Sequence, residues 1–374
     1  MEKHFNLHEH LRKLIAASPL SQNEIANQLG LNSGYISKFL NRKQEIAFWM
    51  FHKLVTYLDK DNELMLMTRF CENMSRKENL RVGLEYAHSK NLKGLMSQLI
   101  EKCSIDKNEE NREWAIVYKW QLNSKSAVHY NLADYVSDLN GIKAKTIEMK
   151  ALLKILEMYC FFFDEKYEIA YYHVKQAENL IGKVSDSFIQ TSFAARLNEA
   201  LGYIFLKHKN DVVRAREAAY QLIEKNLGPN YLVTAFFVLG LSYFKESFDK
   251  TIFFYKKALE ISLEIERTSL SEDINEQIGF ACLYWGRETD VSLSANNFIK
   301  LATEKNDLRG YYNHPKYVPY AYLFDGIKES NKEKLFMSMN YFLSQRDKFR
   351  ASIPELELLK LGVQFAAIKG GEYV

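Results

Sequence analysis

The chain has 374 residues, of which 47% are hydrophobic and 26% charged, a composition typical of a soluble globular protein with two or three domains or one repeat array. No apolar run approaches the roughly 20 residues that a membrane-spanning helix requires, and the N-terminus lacks the apolar core of a signal peptide. We therefore expect a cytoplasmic protein without a membrane partner. Only 5 prolines and 16 glycines interrupt the chain, which favours long helices.

The distribution of charge and the spacing of the cysteines indicate what residues 1–60 bind and in which state the thiols are. The net charge of +3 lies within residues 1–60, which hold eight Lys/Arg against five Asp/Glu. Local positive charge is what attraction to a phosphate backbone requires, and its small size suggests that two copies bind together. No cysteine belongs to a CxxC pair or has a histidine at metal-ligand spacing, so reduced thiols are expected at Cys71, Cys103, Cys160 and Cys282.

Residues 1–60 are predicted to form a helical DNA-binding domain of the lambda-repressor or Cro type. Apolar residues at helical spacing predict a first helix over 5–17, which Pro19 ends, and a later helix over 47–58. Between them, residues 21–43 read SQNEIANQLGLNSGYISKFLNRK, the pattern of a helix-turn-helix. Ser21 suits the cap of its first helix, Gly30 the sharp turn, and Asn32 or Ser33 the cap of its second helix.

The outward side chains of this motif indicate how it would contact DNA. Hydrogen-bonding residues on the second helix are suited to base edges in the major groove, and neighbouring polar and cationic residues are suited to phosphates. The residues expected near bases are Asn32, Ser33, Tyr35, Ser37 and Lys38. The residues expected to hold phosphates are Gln22, Arg42 and Lys43.

Residues 61–352 are predicted to be a degenerate tetratricopeptide-repeat superhelix, so the whole chain is expected to be all-α. Helical patterns are separated by short polar breaks, among them 164–166, 209–211 and 352–354. Leu201-Gly202-x-x-Phe205 and Leu239-Gly240-x-x-Tyr243 repeat a motif at a spacing of 38 residues. Small residues let paired helices approach closely, as repeats of this type require.

The inner wall of such a repeat array usually binds an extended peptide through polar side chains. On successive predicted inner helices these side chains are Arg196, Glu199 and Tyr203, then Asn230 and Thr234, then Asn275. Each of them could equally be part of a solvated helix face. No phosphate loop, nucleophile elbow or metal signature is present, so neither enzymatic chemistry nor a cofactor is expected.

The domain order resembles that of the peptide-pheromone receptors of Gram-positive bacteria and their phages, the group that includes Rap, NprR, PlcR, PrgX and Rgg. Residues 341–362, YFLSQRDKFRASIPELELLKLG, are similar to the end of the arbitrium receptors of temperate phages, with a Tyr-Phe, an Asp-Lys-Phe, a proline and a Leu-Glu-Leu-rich last helix. The segment 320–332 also fits that family.

This resemblance implies a homodimeric transcription factor that binds double-stranded promoter DNA when free and is switched by a secreted peptide of about six residues, in the choice between lysis and lysogeny. It implies that Asp347 meets an arginine of the peptide and that Asn230 makes a polar contact. It also implies a dimer contact for residues 353–374, where we predict a helix over 355–367. Simple capping of the repeats is the alternative for that segment.

Two other functions stay open on the sequence alone. One is a related activator of the PlcR or NprR kind, or a regulator that responds to another small ligand. The other is a protein-sequestering scaffold of the Rap kind, whose N-terminal domain binds a protein instead of DNA. The outward polar set on the second helix of the motif favours DNA over a protein partner.

Overall fold

The computed structural model describes residues 5–124, 137, 139, 141–288, 296–304 and 307–365. Within these residues all regular secondary structure is helical, which confirms the predicted all-α class with an N-terminal helix-turn-helix and tetratricopeptide-like pairs after it. The helices are α1 Leu7–Ala17, α2 Gln22–Leu29, α3 Ser33–Leu40, α4 Phe48–Leu58, α5 Glu63–Asn73, α6 Lys77–Ser89, α7 Lys93–Ser104, α8 Glu109–Ser124, α9 Ile147–Phe163, α10 Tyr167–Ile181, α11 Ser187–Tyr203, α12 Val212–Lys225, α13 Pro229–Tyr243, α14 Phe248–Glu264, α15 Thr268–Tyr284, α16 Asn297–Thr303, α17 Val318–Glu329, α18 Lys332–Ser344 and α19 Lys348–Lys360.

The chain divides into two compact units. The first comprises Met1–Asp164 with Tyr172–Ala194, and the second comprises Glu165–Tyr171 with Ala195–Val374. Two helices belong partly to each unit, because the divisions fall within α10 and within α11. Among the described helices none is long and apolar enough to cross a membrane.

In the first unit the helix-turn-helix domain shares its core with the helices that follow it. Phe51 of α4 stacks on Phe70 of α5 with ring centroids 4.2 Å apart. Phe48 of α4 lies 5.6 Å from Tyr86 of α6 and 5.4 Å from Phe188 at the start of α11. The apolar packing therefore continues across residue 60, where the sequence predicts the end of the first domain.

The second unit is built from consecutive helices that pack in pairs, and its glycines set how closely they approach. A Cβ on Gly240 of α13 would lie 2.5 Å from Cδ1 of Tyr255 on α14. A Cβ on Gly202 of α11 would lie 3.2 Å from Cγ2 of Val238 on α13. The repeated Leu-Gly motif thus marks places where one helix crosses another, with no room for a side chain at Gly240 and little at Gly202.

The prediction of a break at 352–354 and of a last helix over 355–367 is wrong. Helix α19 begins after Asp347, whose side chain accepts a hydrogen bond from the Arg350 backbone N–H, and it continues through Pro354 to Lys360. It ends because Gly362 takes a left-handed φ of 77° and the Val363 N–H bonds back to the Leu358 carbonyl at 3.0 Å. The division proposed at 352/353 falls within this helix, and residues 366–374 lie outside the described part of the chain.

All four cysteines are buried free thiols. Within the described residues, no group of three or more His, Cys, Asp or Glu side chains is arranged to hold a metal ion.

Candidate DNA-binding and ligand-binding sites

The turn of the helix-turn-helix is fixed by local hydrogen bonds. The Ser21 side chain accepts from the Glu24 N–H at 3.3 Å while the Glu24 carboxylate accepts from the Ser21 N–H at 2.7 Å, a reciprocal capping box. Gly30 has a φ of 64°, which other residues adopt only with strain, and Leu31 after it is buried. The sequence therefore dictates the angle between α2 and α3 through short-range chemistry.

The start of α3 is also tied to the start of α2. Asn32, rather than Ser33, caps α3, because its side-chain oxygen accepts from the N–H groups of Gly34 and Tyr35. Gln22 Nε2 donates to the Ser33 carbonyl at 3.2 Å, and the Ser33 hydroxyl donates to Asn23. Gln22 and Ser33, both expected to contact DNA, thus bond to each other in the free protein and orient the N-terminus of α3.

Four of the remaining residues expected at DNA form one exposed group that continues past the end of α3. Tyr35 is 46% exposed, and Lys38 is exposed with its Nζ 5.7 Å from the Tyr35 ring centroid. Arg42 and Lys43 are exposed immediately after the helix, and Arg42 holds a left-handed φ of 56°. Ser37, on the same helix, is half-buried.

Helix α1 supports this surface with positive charge. Arg12 donates from Nη2 to the Leu40 carbonyl at 2.6 Å and so binds the C-terminal end of α3, where the helix dipole favours a cation. His8 of the same helix lies 4.7 Å from the Phe39 ring. Burial, together with the charges of Arg42 and Arg12, lowers the pKa of His8. The end of α3 is therefore a region of positive potential that suits a phosphate.

In the second unit, the polar side chains predicted on α11 and α13 are adjacent. The Thr234 hydroxyl donates to Glu199 Oε1 at 3.2 Å. Asn230 accepts from Arg267 Nη1 at 3.3 Å, and the ring of Tyr203 lies 6.0 Å from that of Phe237. The structure thus brings the two predicted rows together on neighbouring helices.

The other predicted residues differ in accessibility. Arg196 is only 1% exposed, whereas Asn275 is half-buried on α15. Asp347 is 4% exposed and caps α19. Its carboxylate Oδ2 lies 2.6 Å from Arg350 Nη1 and 4.0 Å from Lys207 Nζ, so this acid already holds cations of its own chain.

Sequence reasoning missed the partners of Asp347. Arg350 also donates from Nη2 to Gln277 Oε1 at 2.9 Å, which joins α19 to α15. The Asp-x-x-Arg spacing at 347–350 is a detectable signal, since residues three apart face each other on a helix. Nothing local in the sequence indicates Lys207, which approaches Asp347, or Gln277, which bonds to Arg350, because both come from distant parts of the chain.

The fold defines a class of protein in which an N-terminal helix-turn-helix domain is followed by tetratricopeptide-like helical pairs. The chain belongs to the AimR transcriptional regulator-like family, whose model matches residues 63–360. That family is one of transcriptional regulators and not of enzymes. The match starts just after the helix-turn-helix domain, so the residues predicted to contact DNA lie outside it.

Individual relatives agree with this membership. The AimR transcriptional regulator of Bacillus phage SPbeta is 23% identical over 365 residues, covering 91% of this chain and 92% of that protein. A solved structure described as SeMet-phAimR matches with a TM-score of 0.70 and 19% identity, over 96% of this chain and 98% of the other. A second, described as phAimR with a ligand, matches with a TM-score of 0.64 and 20% identity, over 83% and 96%. Both solved structures are therefore similar to this chain in fold.

Proposed function

We propose that this protein is a homodimeric, DNA-binding transcription regulator whose promoter binding is switched by a secreted peptide of about six residues, in the lysis–lysogeny choice of a phage. The observation that carries the proposal is the exposed group at the end of α3, Tyr35, Lys38, Arg42 and Lys43, on a helix fixed by two sets of cap bonds. Such a helix can enter the major groove as a rigid body.

Tyr35 and Lys38, with Asn32 and Ser37, would approach base edges, while Arg42 and Lys43 would bind phosphates. Gln22 and Ser33 would act at the N-terminus of α3, where a backbone phosphate meets the positive end of the helix. Because the net positive charge of one domain is small, we propose that two copies of the protein bind two DNA half-sites. These half-sites would lie about one helical turn, or a multiple of it, apart.

The peptide would bind in the second unit along α11 and α13, with Arg196, Glu199, Tyr203, Asn230 and Thr234 lining the site and Asn275 and Asp347 near its end. We propose that helix α11 couples peptide binding to DNA binding. It starts near Phe188, whose ring lies beside Phe48 of α4, and it ends with Tyr203. A change at its C-terminal half would alter the packing under the DNA-binding helices, which would shift the fraction of molecules competent for DNA.

The test is selection of DNA from a randomised duplex pool by the purified full chain, followed by gel retention of the selected sequence. We expect Lys38→Ala to weaken retention about tenfold, because one base or phosphate contact contributes about 1–3 kcal/mol. Lys93→Ala, an exposed lysine on α7, is the matched control and should retain DNA like the wild type. Failure to select any duplex would favour the scaffold function instead.

A further inference from the structure

Two cations of the second unit share one carboxylate in a largely buried cluster. Arg350 on α19 and Lys207 beyond the end of α11 have side chains 12% and 23% exposed, and Asp347 between them is 5% exposed. Asp347 Oδ2 is 2.6 Å from Arg350 Nη1 and 4.0 Å from Lys207 Nζ, while Oδ1 caps α19 by accepting from the Arg350 N–H at 2.9 Å. Both oxygens of the acid are therefore engaged.

The guanidinium of Arg350 still has unused donors. It carries five N–H groups, of which Asp347 accepts one and Gln277 another. In the described part of the chain the remaining N–H groups have no acceptor. The hydroxyl of Tyr255 is also buried without a hydrogen-bond partner in that part. Burial raises the pKa of Tyr255 and the charge of Arg350 opposes the rise, which places this hydroxyl in the field of the guanidinium.

The cluster has a net positive charge, because two cations share the one carboxylate of Asp347. Burial and the neighbouring Arg350 lower the pKa of Lys207, and Asp347 only partly offsets them. Glu165 also acts on Lys207 but is exposed, so solvent and salt weaken its effect. Glu276, whose charge acts with those of Arg350 and Asp347 on the buried Tyr320, is held by Lys316 Nζ at 2.8 Å. An additional anion would relieve the repulsion between the two cations.

The backbone around Lys207 is also irregular. Residues Ile204–Lys209 form a π-helical turn that continues α11, an irregularity often found at functional sites. Lys207 follows Tyr203 by four residues on this continuation, so the cluster extends the row of side chains proposed to line the peptide site.

We propose that Arg350, Lys207, Gln277 and Tyr255 form a subsite for a carboxylate of the bound peptide, from its C-terminus or from an aspartate or glutamate side chain. This inference rests on the proposed function. A guanidinium binds a carboxylate through two parallel hydrogen bonds, and Arg350 has donors left for it. The arginine that pairs with Asp347 is Arg350 of the protein itself. An arginine of the peptide at this place would be a third cation beside the single carboxylate of Asp347, after Arg350 and Lys207.

The experiment uses the purified full chain and a randomised hexapeptide library made twice, with free and with amidated C-termini. Retained peptides are identified, resynthesised as acid, amide and Glu→Gln or Asp→Asn forms, and titrated calorimetrically. We expect either amidation of the C-terminus or replacement of the acidic side chain to weaken peptide binding about ten- to hundredfold. This is the effect of losing a hydrogen bond between charged groups. Loss on amidation assigns the C-terminus, and loss on side-chain neutralisation assigns an acidic residue.

Variants of the cluster complete the test. Lys207→Met, which replaces a partly exposed side chain, should remove most of the preference for the peptide with a charged carboxylate over its neutralised form. Arg350→Lys should reduce the same preference. Lys256→Met, an exposed lysine on α14, should keep the full preference. Equal binding of charged and neutralised peptides would overturn the inference, as would retained peptides that depend on an arginine and on Asp347. Retention of no peptide from either library would refute the proposed function itself, and the carboxylate subsite with it.

Discussion

The backbone N–H of Phe48 donates to Oδ1 of Asn79 at 2.8 Å, which fixes the start of α4 to the start of α6. Asn79 is 2% exposed, and its Nδ2 donates to the Ile46 carbonyl at 2.8 Å and to Glu45 Oε1 at 2.6 Å. One buried amide therefore joins the helix-turn-helix domain to the helices that follow it.

Replacing this amide should destabilise the first unit. Asn79→Ala leaves a buried N–H and a buried carbonyl without partners, so we expect the free energy of unfolding to fall by about 2–3 kcal/mol. Urea denaturation measures the change. Asn27→Ala, at an exposed position on α2, should change the same quantity by less than about 0.5 kcal/mol. Equal effects of the two substitutions would mean that the Asn79 bonds do not hold the domain.

Arg42 allows the stability and the DNA affinity to be separated. Its φ of 56° strains any residue other than glycine, so Arg42→Gly should raise the free energy of unfolding by about 0.5–1 kcal/mol. The same change removes the proposed phosphate contact and should weaken DNA binding several-fold with a shallower salt dependence. Glu266→Gly has the same φ of 56° on an exposed residue and should leave DNA affinity unchanged. Undiminished DNA affinity in Arg42→Gly would remove Arg42 from the interface.

His8 should report the positive potential at the end of α3. Because its pKa is lowered in the folded state, the unfolded chain binds more protons below the ordinary pKa of about 6.5. The contribution to stability is therefore full above that pH and is lost as the pH falls through the lower folded pKa. A proton NMR titration of the His8 ring measures the folded pKa directly.

The same titration has an internal comparison. Arg42→Gly should move the pKa of His8 upward, because it removes the second of the causes that lower it, whereas Glu266→Gly should not. A His8 pKa at or above the ordinary histidine value in the wild type would contradict the described packing.

Gly240 tests the close approach of α13 and α14. A methyl group there would meet the Tyr255 ring at 2.5 Å, so Gly240→Ala should lower the free energy of unfolding by about 1–3 kcal/mol through overpacking. Gly94→Ala on α7 meets no atom within 4 Å and should instead stabilise the chain by about 0.5–1 kcal/mol. Thermal unfolding of both variants checks the prediction, and effects of the same sign would refute it.

Local chemistry made the two helices of the helix-turn-helix predictable. The Ser21 cap and the Gly30 turn depend on contacts within a few residues and appear in the structure as predicted, where Glu24 completes the cap. The boundary predicted for the last helix was wrong because it relied on Pro354. This proline lies within α19, and the helix ends at Gly362 instead. The proline signal is strong in general but does not outweigh tertiary packing.

The proposed peptide-binding region was less predictable for a different reason. The polar rows of α11 and α13 follow from helical periodicity, and the structure places Glu199 beside Thr234. Helical periodicity cannot show that Lys207, Gln277 and Arg350 meet, because the three residues come from separate helices. The charge excess in that cluster appears only once the chain has folded.

The most direct measurement is the fluorescence anisotropy of the selected DNA duplex with the wild-type chain, titrated with the retained hexapeptide. We expect saturating peptide to change the dissociation constant for DNA at least about tenfold, equivalent to a coupling free energy of about 1.4 kcal/mol. Linkage requires DNA to change the peptide affinity by the same factor. An unchanged dissociation constant at saturating peptide would contradict a peptide-switched regulator.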